Sequence, residues 1–240
     1  MDLVKVELEH NKIKSYMKKS GIICGITLLI MLFIFCDEEI YKNSAELIEN
    51  WPSMIYIESL VLLFSFSILA AVMYSKFIVT EYSGKRAILL FSYPIKRSKI
   101  VNVKCGIITV FTILSIILSS ALIYGIFFGV AKGYNPNEQI INNDQIIYLL
   151  QMLSIVIIFS YTIAIISGYL GLSGDSVQTT IVAAIIMCII STQVISSIYS
   201  GDGVATEYTG TVVMVDAIMV VASLVAHRMI VNKVKNMELE

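Results

Sequence analysis

Long apolar runs alternate with short polar stretches along this chain, and the length of the runs sets the architecture. A helix needs about 20 mainly apolar residues to cross the hydrocarbon core of a bilayer. Six runs approach or meet that length, at residues 20–37, 54–79, 104–130, 146–170, 178–199 and 210–230. The pattern therefore predicts an all-α, polytopic membrane protein: a six-helix transmembrane domain over 20–230 and a short tail over 231–240. The first run is the shortest, and Lys18 and Lys19 at its start can snorkel to the headgroups. The third is long enough to tilt. Ahead of the first run, Leu3, Val6, Ile13 and Met17 share one helical stripe, while Lys5, Glu9, Lys12 and Lys19 fall elsewhere. Residues 1–19 are thus expected to form an amphipathic interfacial helix. His10 lies on the stripe and reads as interfacial packing rather than as a ligand.

Charge patterning supplies the orientation. Lys and Arg are retained in short cytoplasmic loops. With the N-terminus inside, five lysines before the first span, seven basic residues from Lys76 to Lys104, and Arg228, Lys233 and Lys235 all lie on the cytoplasmic side. Only Lys42 and Lys132 lie outside. Six spans then return the C-terminus to the cytoplasm, and the expected location is the cell (plasma) membrane. The outward segments are acidic or polar, and Trp51-Pro52 suits an interfacial aromatic followed by proline in a first helical turn. The basic N-terminus ahead of an apolar run superficially matches a signal peptide. That run ends Phe35-Cys36-Asp37-Glu38-Glu39 without a small-residue cleavage site, so an uncleaved first span is expected.

Composition agrees: hydrophobic residues are 57% of the chain, against about 45–50% apolar in a soluble domain. It offers little catalytic chemistry. There is no Walker-type glycine loop, HExxH or GxSxG, and only His10 and His227 among histidines. Cys24, Cys36, Cys105 and Cys188 are scattered singly, without metal-site or disulfide spacing. No enzymatic site, bound cofactor or metal is expected on this chain. Two carboxylates lie inside apolar runs, Glu58 and Asp216, each a turn or two from the outer end of its helix. They either pair structurally at the interface or line a path, and Asp216, read as the deeper, is expected to matter more. Gly125 and Gly129 form a GxxxG, expected to serve helix packing. Pro52, Pro94 and Pro136 fall in connections or helix ends, so no span is expected to be broken by proline. Transporters often build sites from interrupted helices, and their absence argues mildly against a secondary transporter.

The stretch from Thr80 to Lys104, TEYSGKRAILLFSYPIKRSKIVNVK, carries the most information. It is charged yet amphipathic: Ala87 to Phe91 can form a short helix, Ser92-Tyr93-Pro94 breaks it, and basic residues follow. A loop that only fixes topology would account for the charges but not for this order. The order resembles the connection after span two in the ABC-2-type permease family. Glu81, Gly84, Leu89, Leu90, Pro94, Arg97, Ile100 and Lys104 stand at the matching positions. With six spans, a basic amphipathic N-terminal helix and about this length, the resemblance covers the whole chain.

The resemblance implies a half-transporter: the permease subunit of an ATP-driven exporter. A second permease copy, or a homologous permease, would complete the path, and a separate cytoplasmic ABC ATPase would bind ATP and Mg. Glu81, Gly84, Leu89, Leu90, Phe91, Pro94, Lys96 and Arg97 would form the ATPase-coupling segment, and a smaller contact would come from Gly171 to Gln178, including Asp175. That second connection holds no Lys or Arg, a departure from the family pattern. Apolar walls and small outer loops suit amphipathic cargo such as a peptide, antibiotic or lipid. Membrane lipid is an expected partner and nucleic acid is not expected. The alternatives are a secondary transporter or channel subunit without an ATPase, and an intramembrane enzyme or assembly factor.

Overall fold

A computed structural model describes residues 13–35, 51–82, 97–134, 143–199 and 209–236. Six of its helices are long and apolar enough to cross a membrane, and no strand occurs among the described residues. They are α1 (Ile13–Phe35), α2 (Trp51–Tyr74), α3 (Arg97–Tyr134), α4 (Asn143–Ser173), α5 (Val177–Tyr199) and α6 (Thr209–Lys235). The chain is a multi-pass membrane protein.

α4 sits at the centre, packed most extensively on α2 and then on α6 and α5. Side-chain pairs fix the directions. Ser67 meets Ser160 at 3.2 Å, and Tyr74 lies against Gly168, so α2 and α4 run parallel. Ser154 pairs with Asp216, and Thr162 donates to the Met219 carbonyl, so α4 and α6 run parallel too. The core along this axis holds Leu62, Leu63 and Phe66 of α2 and Phe159, Ile163 and Ala164 of α4, all buried. Lipid is as apolar as these side chains, so dispersion packing and interhelical hydrogen bonds hold the helices together rather than expulsion from water. α1 and α6 are mostly exposed, with Phe33, Val213 and Met214 turned outward, and α5 presents Val182, Ile186, Ile189 and Ile190. Such faces suit hydrocarbon.

Many polar residues inside the spans are satisfied locally. Thr27, Ser59, Thr109, Thr112, Ser167 and Ser223 each donate to a carbonyl three or four residues back. A hydroxyl that folds onto its own helix can be buried without a partner from elsewhere. These serines and threonines therefore leave the spans apolar in effect.

Four boundaries differ from the sequence expectation. α1 is one helix across the expected break between residues 19 and 20, because Tyr16 is buried on the bundle instead of floating at the surface. The rest of the expected interfacial helix, residues 1–12, lies outside the described residues. α2 continues past Tyr74 as a π-helical turn, Ser75–Val79, and a last helical turn, Thr80–Tyr82. α3 begins at Arg97 rather than near Lys104. Its 38 residues reach ~57 Å, beyond the ~30 Å of hydrocarbon, so the Arg97 end projects from the apolar slab.

The fourth difference is the α4–α5 connection, which shrinks from 171–178 to residues 174–176. Asp175 takes a positive φ of 44°, and Ser176 N–H reaches back to the Gly171 carbonyl at 3.2 Å, closing the end of α4. Ser176 Oγ then accepts from Gln178 N–H at 3.2 Å and caps α5. Gly171 makes this turn possible: a Cβ there would stand 1.7 Å from Thr180 Oγ1.

Candidate functional site

Chemistry concentrates at three places in the described bundle. The first is where α2 ends and α3 begins. Ser75 donates to the Val72 carbonyl at 2.9 Å, and both the N–H and the Oγ1 of Thr80 reach the Ser75 carbonyl, Oγ1 at 2.9 Å. Hydroxyl side chains that hydrogen-bond nearby carbonyls offer the backbone an alternative to regular α-helix, and here they line the π-helical turn. Phe77 lies inside that turn. Its carbonyl accepts from Lys104 Nζ at 3.1 Å, and Lys104 also forms an ion pair with Glu81. The Lys104 side chain is 1% exposed and that of Glu81 15%. Burying an ammonium is costly unless an opposite charge and a good acceptor face it. Both do so here.

Neighbouring elements converge on the same turn. The Tyr16 ring of α1 meets Phe77 edge to face at 5.4 Å, and Lys19 Nζ lies 4.7 Å from the Tyr16 ring centroid. α4 and α5 also pack on the turn. A short break in the helical repeat thus joins five helices.

The second place is Glu58, 1% exposed on α2. Tyr124 of α3 donates its hydroxyl to Oε2, whereas Oε1 is buried without a hydrogen-bond partner. The third is Asp216 on α6. Ser154 Oγ of α4 donates to its Oδ2 at 3.1 Å, and Oδ1 is buried without a partner. The expected difference in depth between the two carboxylates is absent. α2 starts at Trp51 and α6 at Thr209, so each acid stands seven residues along its helix, ~10 Å from the end. Burial then ranks them the other way round, since Asp216 is only partly buried.

Of the coupling residues expected from sequence, Glu81 is brought into the Lys104 pair. Arg97 opens α3, and Ile100 is buried in its first turns. Gly84, Leu89, Leu90, Phe91, Pro94 and Lys96 lie outside the described residues. Among the described residues nothing packs against Gly125 or Gly129: a Cβ on either would meet nothing within 4 Å. Cys105 and Cys188 are buried and free, and Cys24 is half-buried and free. Among the described residues, no three His, Cys, Asp or Glu side chains gather closely enough to hold a metal.

Sequence reasoning missed Tyr124, Ser154 and the π-helical turn. Nothing in the local sequence distinguishes Tyr124 from other span tyrosines. A lysine three turns or less inside an apolar helix was a usable signal for Lys104.

Among curated proteins, the chain is similar to the uncharacterized protein YcbO of Bacillus subtilis (strain 168), 26% identical over 128 residues. The matched region is 53% of this chain and 55% of that protein, so the chain spans about half the length of the relative it matches. No family model matches the chain, and no solved structure does.

Proposed function

We propose that this chain is the permease subunit of an ATP-driven exporter of the ABC-2 type, coupled through residues 80–104 to a separate ATPase and moving an amphipathic substrate. The observation that supports this reading is the Glu81–Lys104 pair. It joins the two ends of the stretch that resembles the family's coupling connection, and it does so on the π-helical turn where five helices meet. A stroke delivered to that stretch would be passed directly to α2 and α3. The tight α4–α5 turn lies at the same end of the bundle, since α2 and α4 run parallel and both end there. In the proposed orientation this end faces the cytoplasm. The test is purification of the tagged full chain from its native membranes. The expected result is a co-purifying chain that hydrolyses ATP in the presence of Mg. A chain that transports in vesicles without nucleotide, and brings no ATPase with it, overturns the proposal.

One observation favours a second reading, a secondary transporter. A carboxylate buried inside a span with one unsatisfied oxygen, as in Glu58, is the kind of group that exchanges protons or cations in such proteins. Transport driven by a proton gradient in the absence of ATP, and abolished by Glu58→Gln, would select that reading.

A further inference from the structure

We infer that Lys104 is a positioning residue: its ammonium ties the start of α3 to the π-helical turn of α2, so that the two ends of the segment between them move as one rigid base. The inference rests on the proposed coupling function only in its consequence, since the tie itself is a matter of contacts within the chain.

Two contacts of the Lys104 ammonium define the tie. Lys104 Nζ donates to the Phe77 carbonyl at 3.1 Å, inside the π-helical turn, and it pairs with Glu81 one helical turn further along. The same side chain therefore grips α2 at two points, one backbone and one side chain. Phe77 is held from its other side by the edge-to-face contact with Tyr16. Lys104 is 1% exposed, so water cannot readily replace either partner. Thr80 Oγ1 bonds the Ser75 carbonyl within the turn, and Ser75 Oγ bonds the Val72 carbonyl just before it.

Charge and shape divide the work. Any cation of sufficient length would satisfy Glu81. Only a donor that also reaches the Phe77 carbonyl fixes the register between α2 and α3. A neutral side chain of similar size, such as methionine, would fill the space and abandon both contacts, removing the ammonium from beside the Glu81 carboxylate. Segments joined by hinges respond to a push by bending. Segments joined by a rigid base transmit it. Residues 83–96 connect the two gripped elements, so the stiffness of the base decides how much of any force on those residues reaches the spans.

The test uses the full chain in liposomes, with the native cysteines replaced and spin labels at Lys76→Cys and Lys99→Cys. Both positions are exposed, one in the π-helical turn and one in the first turns of α3. Pulsed dipolar spectroscopy on the parent should give one narrow distance distribution. Lys104→Met should broaden it roughly two-fold, Glu81→Gln should broaden it less because the Phe77 contact survives, and Lys104→Arg should keep it narrow. A Lys104→Met variant as narrow as the parent overturns the inference. So does broadening by Lys104→Arg while Lys104→Met stays narrow, because it would make the site one of packing volume alone. Circular dichroism and retention on gel filtration separate local loosening from failure to fold, and Glu81→Gln supplies a second, milder variant if Lys104→Met does not fold. With a co-purified ATPase present, ATP and vanadate should leave the parent distance unchanged and shift it in Lys104→Met; a parent distance that shifts as much as the variant's overturns the rigid base. Failure to find any ATPase counts against the proposed function and leaves the distance experiment fully interpretable.

Discussion

A lysine within an apolar helix must either extend its head to the headgroups or find buried partners, and Lys104 does the second. The carboxylates pose the same problem with fewer partners. Glu58 has a single hydroxyl donor in Tyr124, so Tyr124→Phe removes the one hydrogen bond that offsets burial of that acid. The expected cost is about 1–3 kcal/mol, whereas Ser154→Ala beside the partly buried Asp216 should cost less. Thermal unfolding of both variants in the same detergent checks the order, and a larger loss for Ser154→Ala would reverse it. Glycines separate equally cleanly. Gly171→Ala drives a methyl group into Thr180 and should destabilise by about 1–3 kcal/mol, lowering the unfolding temperature of the isolated chain. Gly125→Ala and Gly129→Ala add a methyl group to open space, and should leave that temperature unchanged. A drop for either would mean that the GxxxG face packs against something within the folded chain.

At the scale of elements, apolar run length made the six spans legible, because twenty apolar residues have few alternatives to a transmembrane helix. What the runs could not convey was continuity beyond the slab. α3 extends seven residues ahead of its expected start because Ile100 and Val101 are buried on the bundle, a tertiary fact invisible in local hydropathy. The π-helical turn was equally hidden: no proline or glycine marks Ser75–Val79, and its hydroxyl-to-carbonyl bonds use residues common throughout these spans. The α4–α5 turn was placed correctly but too broadly, since Asp175 at positive φ lets three residues do what eight were expected to do. Of the candidate site, Glu58 and Asp216 were legible as charges inside apolar runs, and Glu81 and Lys104 through the family resemblance, whereas Tyr124, Ser154 and the pairing of Glu81 with Lys104 were not, because pairing is set by helix register. The proposed coupling segment, residues 80–104, is open to substitution. Buried apolar anchors hold most interface energy, and rim charges mainly set association rate and salt sensitivity. Leu89→Ala with Leu90→Ala should therefore release the proposed ATPase during purification. Lys96→Glu should weaken its recovery at low ionic strength far more than at high. Retention of a coupled ATPase by the double alanine variant would reduce the segment to a topogenic loop.

For the whole molecule, the parallel α2, α4 and α6 constrain the arrangement in the membrane. Ser67 on Ser160 and Ser154 on Asp216 fix these three helices in one direction, and Tyr16 on Phe77 sets the start of α1 beside the end of α2. The start of α1, the Glu81–Lys104 tie, the α4–α5 turn and the end of α6 therefore share one face. Fifteen of the chain's basic residues are counted on that face or in the segments leading to it, and two, Lys42 and Lys132, on the other. Internal contacts establish which ends lie together without saying which side of the membrane they occupy. The basic residues supply that sign, because Lys and Arg near span ends are held on the cytoplasmic side during insertion. The resulting prediction covers the entire chain. In intact cells carrying a version without native cysteines, single cysteines at Asn43 and Asn137 should react with a membrane-impermeant maleimide. A cysteine at Ser98, near the start of α3, should react only after the cells are permeabilised. Substituting Lys42 and Lys132 should not alter the pattern, since they oppose a much larger charge on the other face. Labelling of Ser98→Cys from outside, with Asn43→Cys and Asn137→Cys protected, would invert the molecule. It would also remove the proposed coupling segment from the compartment that holds ATP, so an inverted molecule would overturn the proposed function as well.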